Sequence, residues 1–235
     1  MHGTLYLIPN TLGSSETQWT IPQNVASKAV TLRYFIVEDI RTARRYLKLL
    51  DKNINIDVLH FYILNKHTTA DEVSDMLKPL LSGYDVGILS EAGCPAIADP
   101  GAQIVGMAHA KGIRVVPLTG PSSIILAFMS SGINLQNFAF NGYLPIKRDE
   151  RIKSIKHYEN RSRVEKQAQI FIETPYRNMT LLDDLLKLCN PTTTLTIARN
   201  ITLPDEFIQT KTIKEWKLCP PDLNKKPTIF IIVNE

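Results

Sequence analysis

A chain of 235 residues, 44% hydrophobic and 21% charged, has room for one large or two medium domains with a sizeable core, and its composition is that of an ordinary globular protein. The net charge of +4 is mild, no apolar run approaches the ~20 residues of a membrane helix, and MHGTLYLIPN lacks the basic and apolar regions of a secretory leader. Three widely spaced cysteines, Cys94, Cys189 and Cys219, form no metal-ligand pattern and point to a reducing, cytoplasmic setting.

Residues 4–8 form a short apolar run ended by Pro9, and residues 10–23 read as a long polar loop. A second strand is expected at 31–37. A helix follows at 38–50, where Ile40, Ala43, Tyr46, Leu47 and Leu50 recur at helical spacing. Residues 58–64 read as a third strand and 69–81 as a helix opened by threonine and acidic residues. Strand 86–89, helix 102–111, with Asp99 as its N-cap, and strand 113–118 continue the alternation. Such alternation predicts a parallel α/β sheet. After Pro121 come an apolar helix at 122–131 and strands at 138–144, 169–173, 194–199, 206–212 and 228–233, with a helix at 178–189. More strands with fewer helices predict a mixed sheet. The expected domains are therefore 1–117, a parallel α/β domain, and 118–235, a mixed-sheet α/β domain.

Charge is unevenly distributed. Residues 147–166 hold eight Lys/Arg against four acids, an excess equal to that of the whole chain. Such a window is a candidate polyanion contact or, more simply, a solvated helix. The loops after strands 86–89 and 113–118, Ser90-Glu91-Ala92-Gly93-Cys94-Pro95 and Thr119-Gly120-Pro121-Ser122-Ser123, are rich in small residues. They fall at the carboxyl ends of parallel strands, where open α/β sheets take ligands, and small residues let a ligand approach the main chain. The chain has no G-x-G-x-x-G, no P-loop and no G-x-S-x-G elbow. Its histidines are scattered without an H-E-x-x-H or Cys/His cluster, so no metal site is expected.

Several segments carry a family likeness. SEAGCPAIADPG at 90–101 resembles S-D-A-G-T-P-x-I-S-D-P-G, and Glu38-Asp39-Ile40-Arg41 resembles E-D-T-R. Pro117-Leu118-Thr119-Gly120-Pro121-Ser122 resembles P-L-P-G-P-S/C, and Gly142-Tyr143-Leu144-Pro145-Ile146-Lys147 resembles G-F-L-P-x-K. Phe171-Ile172-Glu173-Thr174-Pro175-Tyr176-Arg177 is similar to F-Y-E-S-P-H-R, and Ala198-Arg199-Asn200-Ile201-Thr202 to A-R-E-L-T. In order and spacing these resemble the S-adenosylmethionine-dependent methyltransferases of the tetrapyrrole-methylase fold, also called class III. The branch most resembled methylates the ribose 2′-oxygen of a cytidine in small-subunit ribosomal RNA. The chain departs from that branch in three places. P-T-P-I-G-N-L keeps only Pro9 and Gly13, H-x-H-N keeps only His67, and K-G-E becomes Lys225-Lys226-Pro227.

The resemblance implies two α/β domains with a cofactor cleft between them, S-adenosylmethionine as methyl donor, and a homodimer. Expected cofactor contacts are Pro9, Ser90, Glu91, Ala92, Gly93, Pro95, Gly120, Pro121, Ser122, Ser123 and Glu173. Cys94 is expected to be a small filler rather than a nucleophile. A ribose hydroxyl must lose a proton during transfer, which makes Glu38, Asp39 and His67 candidate catalytic bases. Glu38 and Asp39 also stand where helix-start acids belong. Arg41, Lys147, Arg148, Arg151 and Arg177 are candidate RNA contacts, the partner being ribosomal RNA or the small ribosomal subunit and not a membrane. A precorrin-type tetrapyrrole methylase, or a non-catalytic RNA- or partner-binding module that keeps the fold, are the competing readings.

Overall fold

In a computed structural model of the chain, which describes residues 2–65, 67–134 and 136–234, five short apolar runs of the first half become parallel strands. They are β1 (Thr4–Ile8), β2 (Tyr34–Val37), β3 (His60–Ile63), β4 (Val86–Leu89) and β5 (Arg114–Pro117), in the order β3-β2-β4-β1-β5. Every neighbouring pair is parallel. Between the strands run α1 (Gln23–Thr31), α2 (Ile40–Leu50), α3 (Ala70–Asp75), α4 (Lys78–Leu81) and α5 (Gly101–Ala110).

The strand residues alternate between two cores. Leu5, Ile36, Val86 and Ile88 pack with Val73, Leu77, Ile104 and Ala108. Ile8, Phe35, Val37 and Leu89 pack with Ala29, Ala43, Tyr46 and Leu47. Both faces of the sheet are thus covered, which is why β4 is buried at every residue and reads as an uninterrupted apolar run. Each large side chain so buried, Phe35 or Leu47 for example, gains roughly 1.5–3 kcal/mol.

The chain divides into two units, Met1–Ser122 and Ser123–Glu235. The second contains α6 (Ser123–Ser130), β6 (Phe138–Tyr143), α7 (Arg148–Glu165), β7 (Ala168–Glu173), α8 (Asn178–Leu188), β8 (Thr194–Arg199), β9 (Phe207–Thr212), α9 (Ile213–Leu218) and β10 (Thr228–Val233). Its strands order as β6-β7-β10-β8-β9, with β6 and β7 parallel and the other pairs antiparallel. This is the mixed sheet the strand-rich second half predicts. Phe171, Leu182, Leu185, Trp216 and Phe230 lie in its core, and the Trp216 indole N–H donates to the Leu195 carbonyl at 2.8 Å.

Four local expectations change. The polar stretch before β2 contains α1, which starts after Pro22 and buries Val25 and Ala29. The helix expected at 69–81 is two. Thr69 and Glu72 form a capping box at the start of α3, and Pro79 lies in the first turn of α4, where its ring and missing N–H forbid continuation from Asp75. Residues after β9 form α9, opened by a second capping box between Thr212 and Glu215. Asp99 does not cap α5; Pro100 occupies that position, and no side chain caps the helix.

Candidate active site

Parallel register brings the carboxyl ends of the first sheet to one edge. Ile8 is level with Leu89, Leu89 with Val37, Val37 with Ile63, and Leu7 with Pro117. The loops that follow all emerge there, the location where open α/β sheets receive ligands. The two small-residue loops singled out in the sequence leave β4 and β5, which are not neighbours, because β1 runs between them. The segment after β1 joins them. Asn10 and Gly93 form an antiparallel bridge, Asn10 N–H donating to Gly93 O at 2.9 Å and Gly93 N–H to Asn10 O at 3.2 Å. The Asn10 amide also donates to the carbonyls of Ser90 (3.1 Å) and Glu91 (3.0 Å).

Ser90 is buried, and its hydroxyl lies 3.1 Å from the carbonyls of both Ala92 and Gly93, closing the turn on itself. The Cys94 thiol donates to Pro121 O at 3.4 Å, and burial raises its pKa, consistent with a filler rather than a nucleophile. Pro9 is fixed from below by the Tyr46 hydroxyl, which donates to its carbonyl at 2.6 Å. Gly120 lies so close to Pro9 that a Cβ there would fall 2.2 Å from the proline Cβ. Only glycine fits. Ala96 (φ 65°) and Ala98 (φ 58°) hold left-handed conformations in the same loop, each costing roughly 1–2 kcal/mol. Strain of this kind concentrates at functional loops.

Acidic groups flank this stitched edge. Glu38 follows β2 and shares with Asp99 a small pocket lined by Val37, Leu64, Ile88 and Gly101. Burial, then the hydrogen bond with Asp99 and the negative charges of Asp99 and Glu91, push the Glu38 carboxyl up to about 8. Asp39 has the opposite environment. It is exposed and caps α2, and the Thr42 N–H donating to it at 2.6 Å holds its carboxyl below the ordinary range. His67 is exposed in the loop after β3, its backbone N–H donating to the Asn65 side chain at 2.8 Å. Glu38 therefore combines a raised proton affinity with a pocket shared with a second carboxyl, while Asp39 lines an adjoining pocket but is committed to its cap. Arg41 is exposed on the first turn of α2.

The remaining candidates lie in the second unit, Ser122 being the last residue of the first. Ser123 is the first residue of α6. Glu173 is buried and accepts from Thr174 N–H and from the Arg177 guanidinium, with Arg177 Nε at 3.0 Å. Both residues, expected as ligand contacts, are engaged with each other. Lys147 (82% exposed) and Arg148 (70% exposed) stand at the start of α7, the helix formed by the basic window. Arg151, expected beside them as a phosphate contact, is only 6% exposed. Its guanidinium donates to Asp184 (2.7 Å) and to the carbonyls of Ile146 (2.7 Å) and Pro145 (3.3 Å). A cation so enclosed and so fully partnered serves the fold, and the exposed residues of α7 must carry any contact with a polyanion.

Asn10, Tyr46 and Asp99 are the site residues that sequence reasoning missed or placed elsewhere. Asn10 could have been found as a side chain able to bond neighbouring backbone immediately after a strand-ending proline. The other two are brought in only by the tertiary fold.

Two α/β units, one of them a parallel sheet with small-residue loops and carboxyls at its carboxyl edge, give the architecture of an enzyme with a candidate small-ligand site at that edge. Residues 35–217 match the model of the tetrapyrrole (corrin/porphyrin) methylases. The ribosomal RNA small subunit methyltransferase I of Vibrio cholerae is 30% identical, the match covering 98% of this chain and 76% of that protein. The protein of the same name from Haemophilus influenzae is 29% identical, with 98% and 78% covered. Among solved structures, the methyltransferase CobJ superposes with a TM-score of 0.66 at 16% identity, covering 99% of this chain and 94% of that one. Uroporphyrin-III C-methyltransferase from Thermus thermophilus, complexed with S-adenosylhomocysteine, gives 0.61 at 16% identity, covering 99% and 98%.

The chain belongs to the tetrapyrrole methylase family and has its fold. It is an S-adenosylmethionine-dependent methyltransferase.

Proposed function

We propose that this enzyme methylates small-subunit ribosomal RNA, at the ribose 2′-oxygen of a cytidine, and that it works as a cytoplasmic homodimer. The observation that carries the acceptor is the likeness, over 98% of the chain, to the Vibrio cholerae protein named for that RNA. Lys147, just before α7, and the exposed basic residues Arg148, Lys153, Lys156 and Arg163 of the helix supply the cationic surface that a polyanionic acceptor requires. Support for self-association comes from α6, an almost wholly apolar helix on which Met129 is 72% exposed, with Phe138 of β6, 40% exposed, tilted against its Phe128.

The carboxyl edge of the first sheet suits the cofactor. At Gly120 the main chain is bare because no side chain fits against Pro9, so backbone groups can meet the ligand directly. The negative charges of Glu91 and Asp99, beside the protonated Glu38, provide the field that a sulfonium and an amino group need. Pro9, Asn10, the turn 90–95 and residues 119–122 would hold it. When bound, S-adenosylmethionine supplies an electrophilic methyl group. The loops position that group and exclude water, which matters more for in-line transfer than any reactive side chain. Glu38 accepts the proton of the acceptor hydroxyl, for its raised pKa makes it a stronger base than an ordinary carboxylate. Asp39 is committed to its helix cap, and His67 lies in an exposed loop where Asn65 engages its backbone N–H, so Glu38 is the best placed of the three.

The test offers labelled S-adenosylmethionine with small-subunit ribosomal RNA, intact small subunits or a precorrin, then digests the RNA to nucleosides. Label in 2′-O-methylcytidine is the expected result. Label confined to the porphyrinoid overturns the acceptor, and none in any acceptor leaves the binding-module reading in its place.

A further inference from the structure

The turn from β6 into α7 is built to present side chains. The parallel pairing of β6 with β7 slips between Phe140 and Tyr143, and Gly142 adopts φ 66°, so an extra residue bends the strand. Bulges of this kind re-aim the side chain that follows. Here they leave Tyr143 54% exposed on the edge strand of the second sheet, while Leu144 next to it is buried as an anchor. Ile146 is 74% exposed, and Lys147 and Arg148 come directly after. A ring, an apolar side chain and two cations thus occupy one short exposed segment.

That segment is not held by its own residues. The buried Arg151 reaches back from α7 to the carbonyls of Pro145 and Ile146, and is itself oriented by Asp184 of α8. Such a clamp stiffens a turn that water would otherwise solvate, and a stiff platform loses less entropy on binding. Lys147 keeps only a loose pair with Glu150 at 3.5 Å, and Arg148 lies 3.8 Å from Asp184, so neither cation is consumed.

We infer that this turn is a single-strand RNA platform: Tyr143 stacks a nucleobase, Lys147 and Arg148 hold the flanking phosphates, and Arg151 positions the turn without touching RNA. Aromatic rings beside cations are how proteins take unpaired strands, because every base has a face to stack while charge tracks the backbone. A strand held here is unpaired, which is the state in which a single nucleotide can be extruded for modification. The inference rests on the ribosomal RNA reading and adds to it a particular ring.

The experiment measures binding of a short fluorescent oligocytidylate across a salt series, with methyl transfer to small-subunit ribosomal RNA assayed in parallel. Tyr143→Ala weakens binding by roughly 5- to 100-fold and leaves the salt slope unchanged, whereas Tyr143→Phe binds like the parent. Lys147→Ala weakens binding and lowers the slope by about 0.7. Full affinity in Tyr143→Ala, in a protein that still methylates the RNA, overturns the platform and leaves the acceptor standing. A parent protein that transfers no methyl to the RNA overturns the acceptor, and the platform with it.

Discussion

A carboxyl group that titrates near pH 8 rather than near 4.5 gives the first sheet's edge a pH dependence of its own. If Glu38 takes the acceptor's proton, kcat/KM rises with pH and levels off above about 8. Glu38→Gln loses about 10²-fold in rate, and the rise disappears. Stability moves the other way. Between about pH 4.5 and 8 the folded chain holds a proton on Glu38 that the unfolded chain has released, so the free energy of unfolding falls as pH increases through that window. Denaturant titrations at several pH values check the sign, and Glu38→Gln should flatten that decline. For Asp39 the reverse holds. Its depressed carboxyl favours the folded state above the ordinary carboxylate range, and that contribution fades as pH falls. The sequence named Glu38, Asp39 and His67 as equals because it shows residue type and neighbours in the chain. What separates them is burial beside Asp99, a helix cap and an exposed loop, and these exist only once the strands are registered.

Elements followed from sequence wherever one signal dominated. β1, β4 and β10 are largely apolar runs of strand length closed by polar or turn residues, and they fall where their pattern places them. Helix α1 was hidden because its polar residues face water and few apolar ones mark its buried stripe. The break between α3 and α4 was legible in Pro79 but was masked by apolar spacing that continues across it. α9 carried its capping box, Thr212 to Glu215, in plain letters. The basic window shows the limit of charge counting, since net charge cannot tell a solvated cation from an enclosed one such as Arg151. Asp184→Ala strands that guanidinium in the interior and should cost roughly 3–5 kcal/mol, read in urea unfolding, while Lys153→Ala on the exposed face stays within about 0.5 kcal/mol. Equal costs for the two would contradict the structural role given to Arg151.

At the scale of the whole chain, each unit has its own core, the first on both faces of a parallel sheet and the second against a mixed one. This organisation was legible from alternation and from the change of texture after Pro121. The catalytic class was legible only in the family motifs, such as those at 38–41, 90–101 and 117–122. Physics alone reaches a ligand-binding carboxyl edge, and family likeness supplies the methyl donor. No helix among the described residues is long and apolar enough to cross a membrane. The proposed self-association through exposed apolar side chains predicts a dimer mass in sedimentation equilibrium, which Met129→Glu shifts toward monomer.

If the stitched loops of β1, β4 and β5 hold S-adenosylmethionine, as proposed, calorimetric titration of S-adenosylhomocysteine into the parent protein and into Gly120→Val should show it. A valine there collides with Pro9 and forces the loops apart. The expected result is binding by the parent and a loss of at least about tenfold, about 1.4 kcal/mol, in the variant, with far-ultraviolet circular dichroism unchanged. Equal affinity in both proteins would contradict the assignment of this edge as the cofactor site.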